Sequence, residues 1–425
     1  MKTLPLLSAC VIAGSLAGAP ARAQPASSPP SPKAVLPAVA IQPADTVTLR
    51  AALDAAWHRA VTAREIDGQR RRADADHAAA GSFWAAPPSL ELSHRDDRLQ
   101  RNAGARETEI GVVVPLWLPG QRAARAGTAD AAVAQAQAAT QVALLRLAGE
   151  LRDAAWQVSA LQAEAAEADG QTQVLKQLAD DVERRVRAGD LARADALAAQ
   201  AEQLAASALH SEVRQRLQAA RARWALLTGL TAAPELPAAT FSDSALDAAA
   251  SHPELQLASQ STELARRRVE LMRHSRRDPP ELTVGVRQDA PSRAESSQGS
   301  IVVGLRMPFG TDDRNRPLEA AALAELDMAE THEQRLRERL DSDVAVARDA
   351  LRTAEAQLEA ETVRARLLRE RASLIDQSFR AGETPLPDQL RALAAAGQAD
   401  SAVARQTASL GLARARLQQA LGLLP

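Results

Sequence analysis

The sequence predicts a mainly α-helical protein with a small β part, assembled from one unit written twice: helix, β-hairpin, long helix, turn, helix. Three observations carry this. Motifs recur at a constant offset of 193 residues: Ala52-Leu53-Asp54-Ala55-Ala56 as Ala245-Leu246-Asp247-Ala248-Ala249, Val114-Pro115 as Met307-Pro308, Arg187-Ala188-Gly189 as Arg380-Ala381-Gly382, and Gly229 as Gly422. Self-similarity at a fixed offset marks a structural unit used more than once. Aromatic residues are only 2% of the chain, and its 46% hydrophobic content comes mostly from Ala, Leu and Val. Ala and Leu favour helices, and such a composition suits long packed helices better than an aromatic-rich globule. Finally, a 3-4 alternation of apolar residues runs through each half, the signature of a coiled-coil seam.

The elements follow in order. Lys2, a short apolar stretch and Ala21-Arg22-Ala23 read as a secretory signal over residues 1–23. Its removal takes the formal net charge from −2 to −4 and discards Cys10, the only cysteine. Leu7-Ser8-Ala9-Cys10 is also compatible with a lipoprotein box, so lipidation of Cys10 is the alternative fate of that residue. Residues 24–44, rich in Pro and Ser, read as an extended leader.

The first repeat is expected over residues 45–235. Its first helix starts near Thr46–Thr48 and ends at about Ala80, where Gly81 and Pro87-Pro88 stop it. Two strands follow, at about 89–95 and 107–117. Leu90 and Leu92, then Ile110, Val112 and Val114, form one apolar face. Beyond a corner at Pro115 and Pro119-Gly120, residues 121–186 predict a helix of about 100 Å at 1.5 Å per residue. Its seam reads Leu144, Leu147, Leu151, Ala154, Val158, Leu161, Ala165, Ala168, Thr172, Leu175, Ala179, Val182 and Val186. Gly189 turns the chain into a return helix that Gly229 ends.

The second repeat, residues 236–425, follows the same plan. Its strands are expected at about 281–288 and 299–309, with Leu282, Val284 and Val286, then Ile301, Val303, Leu305 and Met307, on the apolar faces. A corner of Pro308-Phe309-Gly310 with Pro317 leads into a long helix with the seam Leu340, Val344, Ala347, Leu351, Ala354 and Leu358. Gly382 makes the turn, and the return helix ends near Leu421-Gly422.

The chemistry the chain lacks narrows its function. The seven histidines have no ligand spacing, and no nucleophile–base signature or phosphate loop appears. No catalytic residue, metal ligand or cofactor is therefore expected, and no enzymatic activity. Arginines are balanced by carboxylates, which argues against a nucleic-acid partner. After the signal no stretch reaches the ~20 apolar residues of a membrane helix, yet barrel strands give a much weaker signal. Four strands that cross a bilayer cannot close on themselves, and exposed edges are not tolerated in lipid. The chain must then share a barrel with further copies. The competing reading is a soluble periplasmic coiled-coil adaptor or scaffold, in which the hairpins form a small wet sheet.

This layout resembles the TolC-like outer-membrane efflux family. The residues that carry the resemblance are Val112-Val113-Val114-Pro115-Leu116 and Ile301-Val302-Val303-Gly304-Leu305-Arg306-Met307-Pro308-Phe309, with the turns Arg187-Ala188-Gly189 and Phe379-Arg380-Ala381-Gly382-Glu383. It covers about residues 46–424. The resemblance implies a homotrimer with an α-helical barrel and a shared 12-stranded transmembrane β-barrel, in the outer membrane of a Gram-negative cell. It implies a channel of a tripartite efflux system, with a periplasmic adaptor, an inner-membrane RND-type pump and outer-membrane lipid as partners. The compact length is similar to the heavy-metal, CzcC-like branch, whose cargo is metal cations.

By resemblance, the turns at Gly189 and Gly382 lie at the periplasmic mouth, and Asp388 matches a position where three carboxylates constrict the pore. A second acid usual in such mouths is replaced by Arg391. Asp388 equally suits the start of a helix after Pro387. Asp195 stands at the matching place of the first repeat, and Arg187, Arg193 and Arg380 lie near the tips, where ion pairs are expected to hold a closed state. Trp84, Trp117 and Phe309, near the strand ends, are candidate interface anchors.

Overall fold

A computed structural model describes residues 46–99, 103–236 and 252–425. The signal and the leader lie outside the described residues, as do Ala245 to Ala249 of the repeat motif. The described residues belong to one unit, Ala44–Pro425. Its elements are β1 (Thr46–Thr48), α1 (Leu49–Arg59), α2 (Val61–Ala80), β2 (Ser89–Asp96), β3 (Arg106–Pro115), α3 (Gln121–Ala188) and α4 (Arg193–Thr228). They continue with β4 (Ala233–Glu235), α5 (Pro253–His274), β5 (Glu281–Ala290), β6 (Gln298–Arg306), α6 (Asp312–Arg380) and α7 (Leu386–Ala420). The order α5–β5–β6–α6–α7 matches α2–β2–β3–α3–α4.

Two helices of 68 and 69 residues, α3 and α6, dominate. Each is about 100 Å long at 1.5 Å per residue. Along α3 every residue of the expected seam from Leu144 to Val186 is buried or half-buried. It packs against α2 and α5 near the sheet and against α4 and α7 toward the turns, while α6 packs against α5 and α7. The side-by-side order at the turn end is thus α4–α3–α7–α6, with α4 and α6 outermost. Alanines at the contacts (Ala148, Ala155, Ala399) are wholly buried and let the axes approach closely.

Three expectations change. The first helix begins at Leu49, directly after the expected Thr46–Thr48, and these three residues are a strand. Residues Thr46–Thr48 pair in parallel with Ala233–Glu235 as a two-stranded sheet, and the Thr48 hydroxyl accepts from the Ala51 N–H to cap α1. Three residues are too few for a period to register. The helix also breaks at Ala60, whose ψ of 132° is extended, so α1 and α2 are separate. Pro317, expected in the corner, lies inside α6, which already begins at Asp312. So near a helix start it costs one backbone bond without ending the helix.

The four longer strands form one antiparallel sheet in the order β2-β3-β5-β6. The central β3–β5 pairing joins the two halves of the chain, with Gly111 opposite Gly285 and Val112 opposite Val284. Both hairpin strands extend further into the intervening segments than the apolar alternation indicates, through Asp96 and Ala290.

Candidate channel wall and tip

The sheet register sorts the side chains into two faces. Leu90, Val112, Val284 and Val303 form one cross-strand row, and Leu92, Ile110, Val286 and Ile301 the next. All eight are exposed. Val114, Leu282 and Leu305 continue the face toward the helices. The opposite face carries Glu91, Arg95, Glu107, Glu109, Arg287, Asp289 and Arg306. There Glu107 pairs with Arg287 and, at 3.9 Å, with Arg95, while Glu281 pairs with Arg306 at 3.4 Å. A sheet that exposes a continuous apolar face is an interaction surface. Among the described residues, β2 and β6 are the two end strands, each pairing on one side only.

The helices show the same incompleteness. The outermost helices carry exposed leucines at matching heights above the turns: Leu197, Leu204 and Leu209 on α4, and Leu374 and Leu367 on α6. Val346, Thr353, Ala360, Leu367 and Leu374 repeat every seven residues as an exposed stripe.

At the turn end, Gly189 (φ +89°) and Gly382 (φ +79°) take the left-handed conformation that a side chain would strain. The Asp190 N–H then reaches the Arg185 carbonyl, and Glu383 reaches Ser378 in the same way. Asp195 and Asp388 both occupy the third position of a helix. The Asp195 carboxylate accepts from the Ala192 N–H at 3.1 Å. Asp388 accepts from Arg391 at 2.7 Å. Arg391 thus compensates the Asp388 carboxylate within the chain.

Arg380 pairs with Asp376 at 2.9 Å, and Asp376 also accepts from the buried Gln389 at 2.8 Å. Arg185 lies over the buried Phe379 ring at 5.0 Å. Among the described residues no ion pair ties Asp195, Arg187, Arg193 and Arg380 to one another. The packing of Phe379, Leu386, Leu175, Leu178 and Val182 holds the two turns together within the chain.

Midway along α3 lie two buried polar groups that the sequence did not disclose. Arg152 is 2% exposed. It donates to Gln419 Oε1 at 2.5 Å and to the Leu423 carbonyl at 2.8 Å, and its Nε has no partner. Burial lowers its pKa to about 10. His252, also buried, caps α5 by accepting from the Glu254 N–H at 3.1 Å. Burial lowers its pKa, opposed by Glu254 and assisted by Arg339. Neither stands in a pattern: each is a lone polar residue whose burial depends on the far side of the bundle. At the sheet–helix junction Trp84 stacks edge-on against Phe83 at 4.5 Å, and Trp117 donates to the Ser82 carbonyl at 3.2 Å beneath Arg125.

No described helix is long and apolar enough to cross a membrane. No family model matches the sequence, and no curated protein matches it. Solved structures do. The outer membrane protein VceC of Vibrio cholerae superposes with a TM-score of 0.73 at 15% identity, over 88% of this chain and 96% of that one. The outer membrane channel CmeC of Campylobacter jejuni gives 0.71 at 12% identity, over 88% and 85%. The open state of the Neisseria gonorrhoeae channel MtrE gives 0.68 at 16% identity, over 88% and 89%. At these identities the likeness carries the fold.

Proposed function

We propose that the chain, whose fold is that of the TolC-like outer-membrane channels, is itself an efflux duct of that family, acting without catalysis as the outer component of a tripartite system. One observation carries the reading: a four-stranded sheet with two adjacent cross-strand rows of exposed apolar side chains on one face, and, among the described residues, a strand paired on one side only at each end. In water this is an aggregation hazard. In a bilayer it is a quarter-turn or a third of a closed wall. The strands of 8, 10, 10 and 9 residues compare with the ~9–11 of a tilted membrane strand.

Geometry favours three copies. β6 of one copy would pair with β2 of the next, and α6 would seat its heptad stripe against the α4 leucines of the same neighbour. Such head-to-tail contacts generate a ring. Two copies give eight strands, a barrel about filled by its own side chains; three give twelve and a lumen. The face bearing Glu107, Arg287, Glu281 and Arg306 then lines the lumen, and Leu90, Val112, Val284 and Val303 meet lipid.

The site lies in the outer membrane, with the helices reaching across the periplasm to an adaptor and an RND-type pump. Asp388, Asp195 and the turns at Gly189 and Gly382 form the mouth, where the Arg391 partner makes any ring of Asp388 carboxylates a charge-compensated one. The cargo we propose, as the resemblance to the heavy-metal branch implies, is metal cations. Fractionation tests the core of the proposal. The processed protein should stay with outer membranes through high-salt washing, require detergent, and run as a heat-labile trimer. A water-soluble monomer would overturn it. Unchanged metal tolerance on deletion of the gene would refute the cargo alone.

A further inference from the structure

A groove of about 380 Å³ lies where the sheet meets the helices. Its walls are the corner after β3, the end of α5 with Arg273, His274, Arg276 and Arg277, and the start of α6 at Asp312. Two glycines fix these segments against each other. A Cβ on Gly120 would meet the His274 ring at 2.6 Å, and one on Gly310 would overlap the Arg276 carbonyl. The groove is therefore part of the packed junction.

Its charge is uncompensated. Nearby Arg314 is held by Asp278 in a two-point pair at 2.7 and 2.8 Å, and Arg306 by Glu281. Among the described residues Arg273, Arg276 and Arg277 form no ion pair, and Asp312 is the carboxylate in the groove wall. Three arginines against Asp312 give these four residues a net charge of +2. Arginine is the side chain best fitted to phosphate oxygens. Gly310 in the groove wall is joined to the end of the apolar strand through the exposed Met307 and Phe309, the latter 85% exposed.

A cationic groove at the edge of a lipid-facing band matches an acidic headgroup whose acyl chains lie along that band. The geometry points to a binding site for the phosphate of an anionic phospholipid in the periplasmic leaflet, one per subunit. This rests on the barrel reading above.

Purified trimers in detergent, titrated with phosphatidylglycerol or phosphatidylcholine and read by native mass spectrometry, test it. Phosphatidylglycerol should bind more tightly than phosphatidylcholine. The triple variant Arg273→Gln, Arg276→Gln, Arg277→Gln should weaken it on the order of 100-fold, about fivefold per arginine. Asp312→Asn should tighten it by a similar single factor, which guards against a folding defect being read as a binding defect. Equal affinity for the two lipids, or no loss in the triple variant, overturns the proposal. So does displacement of the lipid by millimolar inorganic phosphate, which would make it a site for the free anion. A failure of the barrel reading is seen earlier, as the absence of a heat-labile trimer before any lipid is added.

Discussion

The β3–β5 pairing joins the two halves of the sheet, and Gly285 sits at its tightest point. A Cβ placed there would lie 2.5 Å from the Ile110 carbonyl oxygen and 2.8 Å from the Gly111 Cα. Both obstacles are backbone, so no side chain can swing aside. Relief of the overlap to ordinary contact requires the strands to part by about 0.7 Å or more, which takes ladder bonds of about 2.9 Å beyond the ~3.2 Å limit of useful N–H···O geometry. Loss of two such bonds costs about 1–3 kcal/mol in water and more where lipid leaves the groups unpaired. Gly304, in the same sheet, is the control: its nearest neighbour to a new Cβ is Thr283 at 3.7 Å, ordinary contact. Gly285→Ala should therefore lower the temperature at which the assembled form dissociates on a gel, or prevent assembly, while Gly304→Ala leaves it within a degree or two. Equal heat stability of the two variants would refute the close approach at Gly285.

Other outcomes follow from the buried groups and the turns. Arg152→Met keeps volume and removes an unanswered buried charge but leaves the Gln419 Oε1 and Leu423 carbonyl acceptors without their donor, so it should cost about 1–3 kcal/mol; Arg152→Ala, which leaves a hole as well, should cost more, about 3–5, measured by thermal unfolding in detergent. A smaller penalty for alanine than for methionine would contradict this account. His252 binds its proton less readily in the folded chain than in the unfolded one, so the unfolded state takes up more protons below about pH 6.5 and stability falls as the pH drops through that value. Glu254, Arg339 and Asp343 face it, and His252→Asn, which preserves the capping acceptor, should flatten this acid limb of a stability–pH curve; an unchanged limb would remove His252 as its source. Asp388→Ala frees Arg391 and should shift single-channel cation selectivity in a planar bilayer toward anions, whereas identical conductance and selectivity would place Asp388 away from the constriction.

Much of this was legible because it is local. The seam from Leu144 to Val186 is a period, and a period needs only the helix it lies on. The faces of the hairpins follow from alternation, since Leu90 and Leu92 cannot share a face with Glu91. Glycines at 189 and 382 announce turns because other residues resist positive φ. The Asp388–Arg391 pair, three residues apart on one helix, was readable in the same way.

What required the tertiary structure is everything decided across the chain. The alternation cannot say that β3 pairs with β5, nor that α4 and α6 stand outermost; those depend on which helix faces fit together. The three-residue strand at Thr46–Thr48 exists only because Ala233–Glu235 lies beside it. Arg152 reads as one more surface arginine until Gln419 and Leu423, more than 260 residues away, close over it. Sequence thus determined the elements and their apolar faces, because short-range sterics and periodicity fix them. Folding decided which faces are used within the chain and which remain for another, because burial is a property of pairs of surfaces.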